Sequence, residues 1–133
     1  QPKLQIATES LTWDYQERLG QTEQPIQILD RDRQINLTGN GGEINLQQQI
    51  AKLNNGVRGI NQQKPSELYA TQLTWKMDSG EIEAQGNVVY EQVEPEVKLT
   101  GEKAFGTLED NNIVVTSNGK KQVTTIIKNK LGI

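Results

Sequence analysis

Short stretches in which apolar and polar residues alternate run along the whole chain, and this period of two constrains the fold most. The clearest examples are Leu73 to Met77 and Ile82 to Tyr90. Because successive side chains of a β-strand point to opposite faces, each pattern predicts a half-buried antiparallel strand. Asp78-Ser79-Gly80, between the two stretches, has the composition of a tight turn. The region therefore predicts a β-hairpin that buries one of its faces.

The residues on the apolar side of the alternation are expected to face the interior of the fold. They are Leu73, Trp75, Met77, Ile82, Ala84, Val88, Tyr90, Leu99 and Leu108. Trp13 and Tyr15 are placed on the same side in the first half of the chain. Large aromatic side chains either anchor a small core or line a groove for an apolar ligand. The sequence leaves both interpretations open for the two tryptophans.

Further alternating stretches are separated by clusters of Gly, Asn and Asp, as at 39–42, 54–56 and 109–112. The regular spacing of short strands and turns predicts an all-β sandwich, roll or solenoid. Leu46, Ile50 and Leu53 are spaced as on one face of a helix, so a short helix at 47–53 is an alternative there.

The two halves of the chain resemble each other. Leu11-Thr12-Trp13 recurs as Leu73-Thr74-Trp75, and Leu37-Thr38-Gly39 recurs as Leu99-Thr100-Gly101, both at an offset of 62. The constant offset predicts one domain over 1–133 with two related halves, about 1–62 and 63–127. Coincidence in a β-rich composition is the alternative.

The composition excludes several classes of function. Only 33% of the 133 residues are hydrophobic and the mean hydropathy is −0.69, which predicts narrow apolar faces and an elongated or thin structure. The chain has neither Cys nor His, so it lacks disulfides, thiolate metal sites and the commonest general base. A net charge of −3 with interspersed signs argues against nucleic-acid binding. We therefore expect no enzymatic activity, no cofactor and no metal.

Charged clusters are the remaining candidates for chemistry. Glu81 and Glu83 lie on the polar face of their predicted strand, where nothing indicates a cleft. The segment 30–33 is interpreted as a solvated turn or an exposed charge ladder. No apolar run approaches the roughly 20 residues that span a bilayer.

The segment from Leu73 to Tyr90 resembles the periplasmic proteins of the lipopolysaccharide-export bridge, of the LptC type and the related LptA/OstA-like type. The features that carry the resemblance are Ala84-Gln-Gly-Asn-Val88, then Leu99-Thr-Gly-Glu-Lys-Ala104, then the strand Ile113-Val-Val-Thr-Ser117. It is good from Leu68 to Ile127 and weaker over 1–62. The family's membrane anchor is missing, and 47–64 is unusually rich in Gln and Asn.

The resemblance implies an extended antiparallel β-roll, a β-jellyroll of two facing twisted sheets built from repeated strand-turn-strand units. It implies a non-enzymatic periplasmic protein that passes lipopolysaccharide from an inner-membrane ABC transporter toward the outer membrane through an apolar groove. The interior residues named above, with Trp13 and Tyr15, would line that groove. An N-terminal helix preceding Gln1 would anchor the parent protein in the inner membrane. The alternative is a structural β-solenoid or surface interaction domain with a filled core and no lipid ligand.

The last strand is the expected docking edge. It comprises Val123, Thr124, Thr125, Ile126 and Ile127, which are all β-branched. With no further strand after it, its outward backbone groups are predicted to be free for pairing. By resemblance, an LptA-like bridge protein would bind there by strand addition, and self-association through the sheet edges is a further expectation.

Overall fold

A computed structural model describes residues 3–117 and the backbone of residues 124–128, and it contains fourteen strands there. They are β1 (Leu4–Thr8), β2 (Thr12–Asp14), β3 (Leu19–Thr22), β4 (Ile26–Asp30), β5 (Ile35–Gly39), β6 (Gly42–Asn45), β7 (Ile50–Leu53), β8 (Val57–Asn61), β9 (Ser66–Ala70), β10 (Gln72–Lys76), β11 (Glu81–Gln92), β12 (Glu96–Thr107), β13 (Asn112–Thr116) and β14 (Thr124–Lys128). The expected all-β fold is confirmed. The alternative helix at 47–53 is wrong, because the chain there forms a turn followed by β7.

All fourteen strands belong to one antiparallel sheet, which curls into two facing layers joined by the long strands β11 and β12. The first layer contains β1, β4, β5, β8 and β9, followed by the second half of β11, the first half of β12, and β14. The second layer contains β2, β3, β6, β7 and β10, followed by the first half of β11, the second half of β12, and β13.

Strand β11 bends where it passes from one layer to the other. Its ladder with β12 shifts between Gln85 and Val88, and the two residues between them, Gly86 and Asn87, have φ of 86° and 48°. Two residues of β11 thus oppose the single residue Glu102 of β12, which is a β-bulge, and the alternation of faces continues along β11 itself. Ile82, Ala84, Val88 and Tyr90 therefore all point inward, as the sequence predicts.

The chain crosses between the layers along one side of the fold, which we call the seam. The hairpin turns lie along the other side, which we call the mouth. Turns 31–34 and 62–65 belong to the first layer, and turns 77–80 and 108–111 belong to the second.

Apolar side chains from both layers fill the space between them. The predicted interior set is confirmed in its register: seven of the nine side chains are buried, and Met77 and Leu99 are half-buried against the same core. The alternating faces thus form a packed core rather than an empty trough.

The strand pairing repeats at the offset seen in the sequence. Trp13 lies opposite Gly20 and Trp75 lies opposite Ile82, so both members of the second pair are displaced by 62. The ladders of β1 with β4, β3 with β6, β4 with β5, and β6 with β7 recur at the same offset within β9, β11, β12 and β13. Matching registers at one offset are the structural counterpart of the tripeptide matches.

Candidate functional site

The apolar interior is the first candidate site, and Trp75 lies at its centre. This side chain is only 2% exposed and stands between Ala51 on β7 and Ile82 on β11. Two small residues, Ala84 and Ala104, face each other across β11 and β12 and are fully buried. A small residue beside a large one lets neighbouring strands interdigitate at the close density of protein interiors. Binding of an extended apolar ligand here therefore requires the layers to separate.

Trp13 and Tyr15 differ from their expected positions. Trp13 is half-buried on β2, which has a neighbour on only one side among the strands that the structure describes. Tyr15 is 85% exposed in the turn after β2, so its placement on the interior face is wrong. Alternation ends where the strand ends, and β2 is only three residues long. The two rings meet edge to face instead, with centroids 6.3 Å apart.

Arg33 links the two layers across the mouth. It lies in the turn between β4 and β5, and its Nη1 donates to Asp30 Oδ2 at 2.8 Å and to the Met77 carbonyl at 3.0 Å. Its Nη2 donates to the Asp78 carbonyl at 2.9 Å, and its Nε lies 3.2 Å from Glu109 Oε1. One guanidinium thus joins a first-layer turn to two second-layer turns. Asp30 is 6% exposed, so the interpretation of 30–33 as a solvated turn is wrong for Asp30, whereas Arg31 and Asp32 are exposed in the turn as expected.

Asn61 makes a second link across the mouth. Its side chain is 1% exposed, and its Nδ2 donates to the carbonyls of Leu108 at 2.7 Å and Glu109 at 3.1 Å. Its Oδ1 accepts the backbone N–H groups of residues 63 and 64. Ser66 Oγ donates to Asn111 Oδ1 at 2.6 Å, beside this site. Every buried polar atom of the described side chains has a hydrogen-bond partner, so this closure leaves no unsatisfied group.

A third cluster lies on the outer face of the first layer, beside an open groove of about 960 Å³ along the seam. Arg58 Nη2 bonds Glu67 Oε1 at 2.8 Å, and its guanidinium carbon stands 5.8 Å from the centroid of the Tyr69 ring. Tyr69 also donates a hydrogen bond to Glu67, which lowers the pKa of Glu67 and raises that of Tyr69. These groups satisfy one another, and the arrangement offers no free acid or base. Glu81 and Glu83 are likewise exposed, on the polar face of β11.

The sheet edges are the second candidate site. Strands β1 and β2 each have one strand neighbour at the N-terminal end of the sheet, as do β13 and β14 at the other end, within the described residues. Thr124, Thr125, Ile126 and Ile127 of the expected docking edge lie in β14, which pairs with β12 from Glu96 to Thr100. Val123 lies outside the described residues. Sequence reasoning did not single out β2 and β13 as edges.

The fold and the interior together define a class of protein: a curled antiparallel β-jellyroll that encloses an apolar core between two layers. Residues 1–62 match a family of proteins described as lipopolysaccharide-assembly, LptC-related. Twelve chains of solved structures are also similar. One of them is LptH from Pseudomonas aeruginosa, the LptA-homologous periplasmic component of the conserved lipopolysaccharide transport device, with a TM-score of 0.79. At 10% sequence identity, the likeness covers 96% of each chain and shows a shared fold.

These comparisons confirm the resemblance expected from the sequence, with one difference in position. The family match falls on 1–62, where the resemblance was expected to be the weaker. No curated protein matches the sequence.

The described residues contain no helix of sufficient length and apolar character to cross a membrane. No group of three or more acidic side chains in this part of the chain could hold a metal ion, and His and Cys are absent from the sequence.

Proposed function

We propose that this chain is a non-enzymatic component of a lipopolysaccharide-transport bridge and that its interior takes up the acyl chains of the lipid in transit. The observation that carries the proposal is the apolar interior between two layers of a curled sheet that has the fold of LptH. The LptC-related match over 1–62 supports the same transport system. The exposed Tyr15 is not part of the proposed lining. The lining would be Trp13, Leu73, Trp75, Met77, Ile82, Ala84, Val88, Tyr90, Leu99 and Leu108.

The proposed place of action is the periplasm, between an inner-membrane ABC transporter and the outer membrane. LptH is described as a periplasmic component of a transport device, which supports this location. The proposal also includes an inner-membrane anchor that precedes Gln1 in the parent protein.

We propose that partners of the same fold add strands at the two ends of the sheet. Strand β14 would receive an LptA-like bridge protein, as expected from the resemblance. Inside the chain, the first repeat joins the second through β7 and β10, where Leu53 lies opposite Leu73 and Ala51 lies opposite Trp75. Adding 62 to the residue numbers of β7 gives those of β13, and subtracting 62 from those of β10 gives the region of β2. The same ladder formed between two molecules would therefore put Val115 of one molecule opposite Leu11 of the next. The internal junction is thus a template for self-association through β13 and β2.

The residues at the free edge of β2 support this template. Leu73 and Trp75 are buried where the internal junction covers them. Their counterparts, Leu11 and Trp13, are 40% exposed and half-buried respectively. An added strand would bury both, and exposed backbone at a sheet edge is normally a liability unless it is paired.

Photocrosslinking from an unnatural amino acid at Trp75 tests the lipid path in cells that export lipopolysaccharide. We expect a lipopolysaccharide adduct from position 75 and none from Phe105, an aromatic residue on the outer face that is 41% exposed. Equal labelling at both positions, or none at position 75, would contradict the proposed path.

The dense packing of the interior favours a second candidate function, a structural β-solenoid or interaction module without a lipid ligand. In that case the buried residues serve stability alone. The same experiment separates the two, because a permanently filled core gives no lipid adduct from position 75.

A further inference from the structure

Polar contacts between turns of the two layers cover the apolar interior along its mouth. Leu37 and Leu108 lie close together in the interior, on either side of Gly59. Each has a methyl group 3.1 Å from the position that a Cβ on Gly59 would take. Both leucines are 1% exposed. The cover above them consists of the Arg33 and Asn61 links already described.

The chemistry of these links suits reversible opening. Hydrogen bonds made across the mouth can be exchanged for bonds to water, so their net contribution is much smaller than their strength in isolation. The Arg33 side chain is 22% exposed and that of Glu109 is 30% exposed, so water reaches the groups as soon as they part. Apolar side chains that separated at the mouth would gain no comparable interaction with water.

The links also join elements that are distant in sequence and otherwise belong to different layers. Arg33 lies 44 residues from Met77, and Asn61 lies 47 residues from Leu108. The turns that carry them are each closed by local bonds: Asp30 Oδ1 accepts the Arg33 N–H, and Asn61 Oδ1 accepts that of Lys64. Each turn can therefore keep its shape when the links across the mouth break.

We propose that Arg33 and Asn61, with their acceptors in turns 77–80 and 108–111, form a latch that holds the two layers together in the absence of lipid and opens to admit acyl chains. The proposal deepens the proposed function and rests on it. The open state exposes the interior along the mouth while the seam remains the hinge. The apparent affinity for a lipid is then lowered by the fraction of molecules whose latch is closed.

An engineered disulfide across the latch provides the direct test. The chain has no cysteine, and Ser66 Oγ lies 2.6 Å from Asn111 Oδ1, so Ser66→Cys with Asn111→Cys puts one thiol on each side of the mouth, and loss of both free thiols on oxidation shows that the two layers are joined. A Trp13→Phe background leaves Trp75 as the only tryptophan. Stearic acid carrying bromine atoms on its chain serves as the probe, because bromine quenches only tryptophan close to it.

We expect quenching of Trp75 in the parent and in the reduced double variant, loss of quenching on oxidation, and recovery on reduction. Arg33→Gln should tighten the apparent affinity for the probe by about tenfold, the effect of losing a hydrogen bond to a charged group. Arg58→Gln, which removes an arginine–glutamate pair on the outer face, is the matched control and should leave the affinity unchanged.

Failure of the latch and failure of the proposed function would give different results. Equal quenching in the oxidised and reduced forms would overturn the latch and leave the lipid path standing. Absence of quenching in the parent and in every variant would overturn the proposed function, and the latch with it. If Arg33→Gln does not fold, the disulfide comparison decides alone, because oxidation and reduction are compared in one protein.

Discussion

The ring of Trp13 lies over Gly20, whereas Trp75, its counterpart 62 residues later, lies opposite Ile82 in an interior strand. A Cβ added to Gly20 would stand 2.9 Å from Trp13 Cε3, so the glycine makes room for the ring. The two tryptophans occupy equivalent positions in the strand pairing but differ in the number of strands that flank them. Trp75 is enclosed by β7 and β11, and Trp13 has β3 on one side only.

This difference predicts unequal effects on stability. Trp75→Ala leaves a large cavity in a filled core and should lower the free energy of unfolding by about 3–5 kcal/mol. Trp13→Ala at the edge should cost about 1 kcal/mol, the usual effect of a point substitution. Urea unfolding of both variants at one temperature measures the two losses. Equal losses would show that β2 is as well covered as β10.

Self-association through the β2 edge predicts that a charge at Trp13 weakens association more than a charge elsewhere on the surface. Trp13→Glu should abolish concentration-dependent self-association, because a charge would be buried opposite Ile113 of the neighbouring molecule. Val93→Glu, at a residue 58% exposed in the turn between β11 and β12, is the matched control and should leave association unchanged. Sedimentation equilibrium over a range of protein concentrations measures both. A Trp13→Glu variant that associates as the parent does would exclude this edge.

The bend of β11 predicts a sharp contrast between two adjacent positions. Gly86 has φ +86°, and a Cβ there would lie 2.7 Å from Thr71 Oγ1 and 2.8 Å from Thr71 Cβ. Gly86→Ala should therefore lower the free energy of unfolding by about 1–3 kcal/mol through backbone strain and overpacking. Asn87 has φ 48°, a backbone conformation that glycine adopts freely. Asn87→Gly should therefore change the free energy of unfolding by less than about 1 kcal/mol. Thermal unfolding of the two variants checks the contrast.

Much of the fold follows from local pattern. Alternation alone places Leu73, Trp75, Ile82 and Ala84 on the buried face, and Asp78-Ser79-Gly80 marks its turn correctly. Both depend on residues that are neighbours in sequence. The strand registers repeat at the same offset of 62 residues as the tripeptide matches, although the partner strands differ in sequence, with Gly20 at the place of Ile82.

The parts that sequence reasoning missed depend on unusual turn residues or distant contacts. Gln34 and Gln49 adopt φ of 56° at the ends of their turns, where glycine or asparagine would have signalled a turn. For that reason 47–53 allowed a helical interpretation. Arg33 and Asn61 find their acceptors only when the layers face each other, and no local spacing indicates such a contact. The exposed position of Tyr15 follows from the end of β2, which the alternation does not mark.

The buried phenol of Tyr90 predicts how stability depends on pH. Burial raises the pKa of Tyr90 above its ordinary value of 10.0, and the hydroxyl donates to Gln92 Oε1 at 3.1 Å. The folded protein therefore retains the phenol proton at a pH where the unfolded chain releases it. The contribution to stability is complete below pH 10 and is lost as the pH rises through the folded-state pKa.

Tyr90→Phe isolates this effect. The difference in free energy of unfolding between the parent and Tyr90→Phe should be constant below pH 9 and should shift against the parent above pH ~10. Urea unfolding at intervals from pH ~8 to ~11 measures both proteins. A Tyr90→Phe difference that stays constant across this range would show that Tyr90 ionises with equal ease in the folded and unfolded states.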